Sequence, residues 1–457
     1  MSRDLTKGRP EKVIPGFIVP MLISVFFQQL YNMADSMIAG KYAGEAALAA
    51  VGASYPITML FMAVALGTNI GCSVVIAGLF GAKEHARMKT AVYTSFVAVG
   101  VLSLILCTLG IVFSADIMRL IETPTDIFED SKLYLNIYIG GFIFVYLYNV
   151  ATGAFNSMGD SRTPLYFLIG SSLGNIALDI VFVKYFHWGV EGVAWATFIA
   201  QGIACVLAII ALFIKLNKIK TTEKAKLFSG ELLLKIGRIA LPSIAQQSFI
   251  SVGNVFVQRL INSFGSPVIA GYSASIKLNT FVITCLTTVG NGVSQFSSQN
   301  KGAGNIDRIK DGFKAGMKMA MVIAVSFSIV LFFGRELFVK LFLDDEATEQ
   351  ALFSGMQFLM VVTPFYVVIC SKLVADGVLR GCGSMVHFMI ATFTDLILRV
   401  VLAYVFAGPM GGFFAGLGDG FDASLGIWVS WPVGWAIGAL LSVMFYKQGK
   451  WKKAKIV

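Results

Sequence analysis

Charge is what this sequence has least of. Of 457 residues only 14% are Asp, Glu, Lys or Arg, against roughly 25% in an ordinary soluble domain. So few charges cannot cover a soluble fold of this size, and 56% of the residues are hydrophobic, with 38 Phe. Histidine is almost missing: His85, His187 and His387 are scattered and make no metal-ligating set. Cysteine is limited to six residues, mostly inside apolar runs and without C-x-x-C spacing. That argues against a disulfide frame or a metal site and for small buried hydrophobes. No G-x-x-x-x-G-K-[ST] loop occurs, so the chain is not a fused ATP-driven pump. No nucleophile–base motif suggests an enzyme. The apolar runs are continuous rather than alternating, which argues against a β-barrel.

What is present is a series of apolar runs of membrane-crossing length. Each crossing needs about 20 apolar residues and a short loop. Twelve spans are expected, near residues 14–38, 47–78, 91–113, 133–156, 163–185, 192–214, 237–262, 268–298, 315–334, 350–379, 385–407 and 425–446. The second and eighth are long for one crossing and are expected to tilt or protrude. The first run follows basic residues and has span length, so it is expected to stay as the first helix.

The loops sort by charge. If the N-terminus is inside, the inside segments hold 26 of the 36 Lys and Arg, and the outside loops hold six. This bias places both termini in the cytoplasm of a bacterial-type inner or plasma membrane. The net charge of +10 is therefore read as topology, with attraction to anionic lipid headgroups as a by-product. It does not point to nucleic acid. Gly408–Gly426, rich in Gly, is expected to be a flexible outside connector.

The halves resemble each other. Val19-Pro20 recurs as Leu241-Pro242, and Ala49–Ser54 recurs as Ala270–Ser275. Gly81-Ala82 with Arg87 recurs as Gly302-Ala303 with Arg308, and Gly153–Gly159 recurs as Gly377–Gly383. The offsets lie between 221 and 224 residues. Six spans per half make the repeat parallel, related by an axis along the membrane normal. The expected organisation is a first lobe at 1–214, a linker at 215–236 and a second lobe at 237–457. Two such lobes facing a cleft suit alternating access.

Eight charges fall within spans: Asp35, Asp179, Asp376, Asp395, Arg259, Lys277, Lys372 and Arg399. Each is costly in hydrocarbon unless paired or facing water. Lys372 with Asp376, and Asp395 with Arg399, are four residues apart, a spacing at which each pair neutralises itself on one helix. Arg259 lies near a helix end from which it can snorkel. Asp35 and Asp179 have no cation within a turn, and Asn175 sits one turn before Asp179 on the same face. Such carboxylates suit H⁺ exchange, or Na⁺ binding with amide and hydroxyl oxygens; buried hydrogen-bonded acids are the plain alternative. Pro20, in the span of Asp35, removes a backbone hydrogen bond and permits a kink.

The run Tyr31-Asn32-Met33-Ala34-Asp35-Ser36-Met37-Ile38-Ala39-Gly40, followed by Ala49-Ala50-Val51-Gly52, resembles the first-helix signature of the multidrug and toxic compound extrusion (MATE) transporters. Gly81–Arg87, Gly153–Gly159 and Gly302–Arg308 look like that family's repeated motifs, and Asn175–Asp179 looks like its fifth-helix motif. The resemblance is strongest to the branch of DinF and the staphylococcal multidrug exporter. It implies an all-α membrane protein of twelve helices in two six-helix lobes. It implies a secondary transporter, not an enzyme: an H⁺- or Na⁺-coupled antiporter that expels amphipathic, often cationic, organic compounds. No cofactor beyond that ion is expected, and the chain is expected to act as a monomer among membrane lipids. In that branch the cation site matches Asp35, Asn175, Asp179 and Thr197, and the helix-bending proline matches Pro20. The other bacterial branch uses acids on the seventh and tenth helices. Here the seventh span has Gln246, Gln247 and Arg259 but no acid, and Asp376 lies nearer the cytoplasmic end. A flippase for lipid-linked or polysaccharide precursors is a second reading, kept open by Arg259, Lys277, Lys372 and Arg399. A membrane receptor or enzyme is a remote third.

Overall fold

The computed structural model describes residues 4–38, 45–121, 123–125, 127–221, 223–343, 348–417 and 422–454, with the side chains of 34–38 and 45–51 excepted. Long helices dominate it. They are α1 (Pro10–Ile38), α2 (Glu45–Gly81), α3 (His85–Val112), α4 (Phe128–Ser157), α5 (Arg162–Tyr185) and α6 (Gly189–Lys218) in the first half. The second half holds α7 (Gly230–Asn262), α8 (Ser266–Gly302), α9 (Ile306–Phe333), α10 (Glu349–Gly381), α11 (Met385–Ala407) and α12 (Ser424–Gln448).

Among the described residues, eleven of these are long and apolar enough to cross a membrane. The exception is α7, which was expected to be the seventh span. It has 33 residues, so its length suffices. Ser243, Gln246, Gln247, Ser248, Ser251, Asn254, Gln258 and Arg259 dilute its hydropathy. It is nonetheless packed along α2 and α11; of these polar side chains Ser243 is buried, most of the others are half-buried, and Asn254 and Arg259 are exposed.

Among the described residues, two of these helices depart from ideal α geometry. α10 is interrupted by a 3-10 turn at Thr363–Phe365, where Pro364 has no N–H to continue the ladder. α5 ends in a π-turn, Ile180–Tyr185, that starts immediately after Asp179. The connector at 408–426 carries a short helix, Gly411–Ala415, rather than being wholly irregular. α2 and α8 have 37 residues each, as long as expected.

The repeat reappears as matched contacts. Ser54 Oγ donates to the Ser131 carbonyl at 3.3 Å, and the equivalent Ser275 Oγ donates to the Gly355 carbonyl at 2.8 Å. Within each half α1 packs on α5, and α7 on α11.

The halves meet along α1 and α2 against α7, α8 and α9. The meeting is tight at one end. Residues 71–79 of α2 and the equivalent 292–300 of α8 are all buried, nine in a row. A helix buried on every side needs small residues where backbones approach. A Cβ at Gly71 would lie 2.6 Å from Ala240 Cβ, and one at Gly292 would lie 2.4 Å from Ile18 Cγ1. Both termini join this end. Asn300 Nδ2 donates to the Leu5 carbonyl at 3.2 Å, and Lys301 Nζ donates to the Trp451 carbonyl at 3.4 Å. Polar bonds tie the seam: Ser298 Oγ to the Val74 carbonyl at 2.6 Å, Gln299 Nε2 to the Ser157 carbonyl at 2.6 Å, and Arg87 to Glu231 at 2.9 Å. Towards the opposite end the same helices become exposed. Tyr55 on α2 is 60% accessible, and Met33 on α1 and Phe256 on α7 are both 49% accessible. The bundle is sealed at the end that bears the termini.

Candidate functional site

The α5–α6 hairpin sets the first site. Its turn is tight, with positive φ at His187 (58°) and Gly189 (56°). Phe182 stacks on Trp188 at 4.9 Å, and the missing side chain of Gly192 lets the helices close: a Cβ there would lie 3.2 Å from Phe182 Cβ. This turn lies about midway between Asp179 and Thr197, so the returning helix brings Thr197 opposite Asn175 and Asp179.

All three are buried, with Asp179 fully so. With the amide oriented to satisfy both of its ends, Asn175 Nδ2 donates to Asp179 Oδ2 at 2.8 Å. Its Oδ1 then accepts from the Thr197 backbone N–H at 3.2 Å. The one-turn spacing on α5 therefore places amide and carboxylate in contact, as read from the sequence. The result is a carboxylate, an amide and a hydroxyl in one enclosed place. A carboxylate this deep is stable only with a proton, a cation or donors.

Asp35 lies on α1, which packs on α5, but its side chain falls outside the described residues. Pro20 is buried within α1, which runs through it unbroken. Ser24 Oγ donates back to the Pro20 carbonyl at 3.0 Å, a bond that competes with the helix ladder and favours bending.

The second-half charges behave differently. Arg259 is exposed, and Lys277 is exposed and sits 5.6 Å from the Phe342 ring. Lys372, Asp376, Asp395 and Arg399 are buried together. Lys372 Nζ lies 2.8 Å from Asp376 Oδ2, which closes the first expected pair. The second pair does not close: among the described residues Asp395 has no ion pair with Arg399, and its Oδ2 instead faces Lys372 at 3.6 Å. Spacing of four residues allows a helical pair, but here a neighbouring helix offers a competing ammonium. Arg399 stacks on Trp431 at 4.5 Å and reaches Asn254 Oδ1 at 3.4 Å. Ser442 Oγ donates to Asp376 Oδ1 at 2.6 Å. Neither Ser442 nor Trp431 carried a signal in the sequence, since both lie within an apolar helix.

A helical bundle that crosses a membrane many times, built as two matched halves around a seam sealed at one end, is the architecture of a transporter. The MatE family model matches twice, over residues 20–181 and 242–405, and the chain belongs to that family of membrane transporters. It is not an enzyme. Probable multidrug resistance protein YoeA of Bacillus subtilis (strain 168) is 28% identical over 449 residues, covering 96% of this chain and 94% of its own length. Multidrug export protein MepA of Staphylococcus aureus (strain NCTC 8325 / PS 47) is 24% identical over 353 residues, 77% of each chain. Among solved structures, a MOP superfamily transporter from Pyrococcus furiosus Vc1 (DSM3638) superposes with a TM-score of 0.88 at 22% identity, covering 97% of both chains.

Proposed function

We propose that this chain is an antiporter that exports amphipathic, often cationic, organic compounds in exchange for H⁺ or Na⁺. The reading rests first on one observation: Asn175, Asp179 and Thr197 are buried together in the first half. Relatives named as multidrug resistance and multidrug export proteins support the substrate class.

The cycle follows from the charges. The sealed end faces the cytoplasm, where the basic loops lie. From the open side a cation reaches Asp179, with Asp35 of α1 as the second acid. Their neutralisation weakens the hold on a cationic drug, and α1 bends at Pro20. Drug leaves outward, the seam opens inward, and the ion is discharged. Coupling here is a difference in affinity of each conformation for drug and ion. The chain works as a monomer in the lipid bilayer, with both termini in the cytoplasm.

Ethidium efflux from proteoliposomes under an imposed pH gradient or an imposed Na⁺ gradient tests this. Efflux driven by one of them is expected. Efflux indifferent to both gradients contradicts the antiporter.

A further inference from the structure

The buried cluster of the second half has no part in that cycle. Lys372, Asp376, Asp395 and Arg399 are each at most 7% exposed. α12 is cut away to admit them. A Cβ at Gly438 would lie 2.8 Å from Asp395 Cβ and 2.9 Å from Lys372 Cε, and one at Gly434 would lie 3.0 Å from Asp395 Oδ1. Three helices thus contribute oxygen donors to one point: Asp376 from α10, Asp395 from α11 and Ser442 from α12.

Two carboxylates this deep require a compensating positive charge. In a transporter that charge can be a travelling ion. Here it is the Lys372 ammonium, a compact point charge with three donors. Its Nζ stands 2.8 Å from one carboxylate and 3.6 Å from the other.

We infer that Lys372 is a tethered cation, permanently filling a two-carboxylate site that in its absence binds a monovalent metal ion such as Na⁺. The second half consequently exchanges no ion during transport. Asp395 Oδ1 is buried without a hydrogen-bond partner among the described residues, so the site holds more acceptor capacity than the lysine uses. All the donors are hard oxygens, which suit alkali and alkaline-earth ions. Arg399 lies one turn after Asp395 on α11, and Arg380 lies one turn after Asp376 on α10, held to Asn291 Oδ1 at 2.5 Å. Both guanidinium groups stay in place when Lys372 is removed, so the ion that restores the single charge lost with the lysine is monovalent.

The inference does not depend on the first-half cation site, because each variant is compared with the wild-type protein's own stoichiometry. Bound radioactive Na⁺ per purified full-length protein is measured by equilibrium dialysis at one pH. Lys372→Met is expected to bind about one additional Na⁺. Lys372→Arg, which keeps the charge, is expected to match wild type, and Lys372→Met with Asp395→Asn is expected to return to the wild-type count. A monodisperse Lys372→Met that gains no Na⁺ overturns the inference. Asp395→Asn alone decides the matter if Lys372→Met does not fold. Unchanged Na⁺ binding supports the tethered cation, and loss of about one Na⁺ means the wild-type second half already holds a dissociable ion.

Discussion

Gly81 and Gly302 occupy reciprocal positions across the seam. A Cβ on Gly81 would stand 1.9 Å from the Gln299 carbonyl oxygen, and one on Gly302 would stand 1.9 Å from that of Gly78. Gly78 and Gln299 are themselves equivalent in the repeat, so the contact has the self-complementary form of a two-fold interface. Such a contact is made by backbone on backbone and has no flexible side chain to yield.

Alanine at either glycine is therefore expected to push the sealed ends apart, at about 1–3 kcal/mol for overpacking. Cys72 is a free thiol within the fully buried stretch 71–79 of α2. In a background with Cys72 as the sole cysteine, Gly302→Ala is expected to raise its rate of maleimide labelling several-fold. Unchanged labelling means that the seam does not depend on this approach.

The N-terminal segment is a strap over the same seam. Leu5 is fully buried, and its N–H donates to Gln299 Oε1 at 3.1 Å. Arg308 Nη1 binds the Gly8 carbonyl at 2.6 Å, and its Nη2 binds the carbonyls of Lys7 at 2.8 Å and Leu5 at 3.1 Å. Burying Leu5 contributes about 2 kcal/mol to the closed form. Leu5→Ser or Arg308→Gln is expected to lower the thermal midpoint and to increase trypsin cleavage within the first ten residues. A midpoint equal to wild type counts against the strap.

Asp160 connects α4 to the end of α6 through Lys215 Nζ, 2.5 Å from its Oδ2. Burial opposes the charge of Asp160, but Lys215 and Thr163 outweigh it and hold the carboxyl below its ordinary value of 3.8. A lowered folded value means that the pair's stabilisation is fully present above the unfolded value and is lost as pH falls through the folded one. Its window therefore lies below about pH 4. Asp160→Asn is expected to cost about 2 kcal/mol near neutrality, less than a fully buried pair because Lys215 is partly exposed. The wild-type advantage in thermal midpoint is expected to shrink as pH falls from about 4 towards 3. An advantage that persists unchanged at that pH contradicts the assignment.

Much of this architecture was legible in the sequence because membrane spans and loop charges are linear signals. The Gly81 and Gly302 motifs stood out since only glycine tolerates the 1.9 Å approach. Asn175 and Asp179 were readable as a pair because one helical turn fixes their face. Other features depend on tertiary choice. The i, i+4 rule could not tell that Asp395 turns to Lys372 on another helix. The π-turn after Asp179 is a backbone preference set by packing against α6. Leu5 is one apolar residue in a polar stretch, so its burial had no periodicity to announce it. α7 was read as the seventh span with Gln246, Gln247 and Arg259 in it, and its polar side chains, mostly half-buried or exposed, leave it less apolar than the other eleven.

In the proposed cycle Asp179 carries the coupling ion. Proteoliposomes holding wild type or Asp179→Asn are loaded with ethidium, and efflux is followed under the driving gradient, with ethidium binding measured on the same purified proteins. The variant is expected still to bind ethidium but to lose at least about tenfold in gradient-driven efflux, equivalent to roughly 1.4 kcal/mol or more in the barrier to transport. Gradient-driven efflux at the wild-type rate in Asp179→Asn would contradict it.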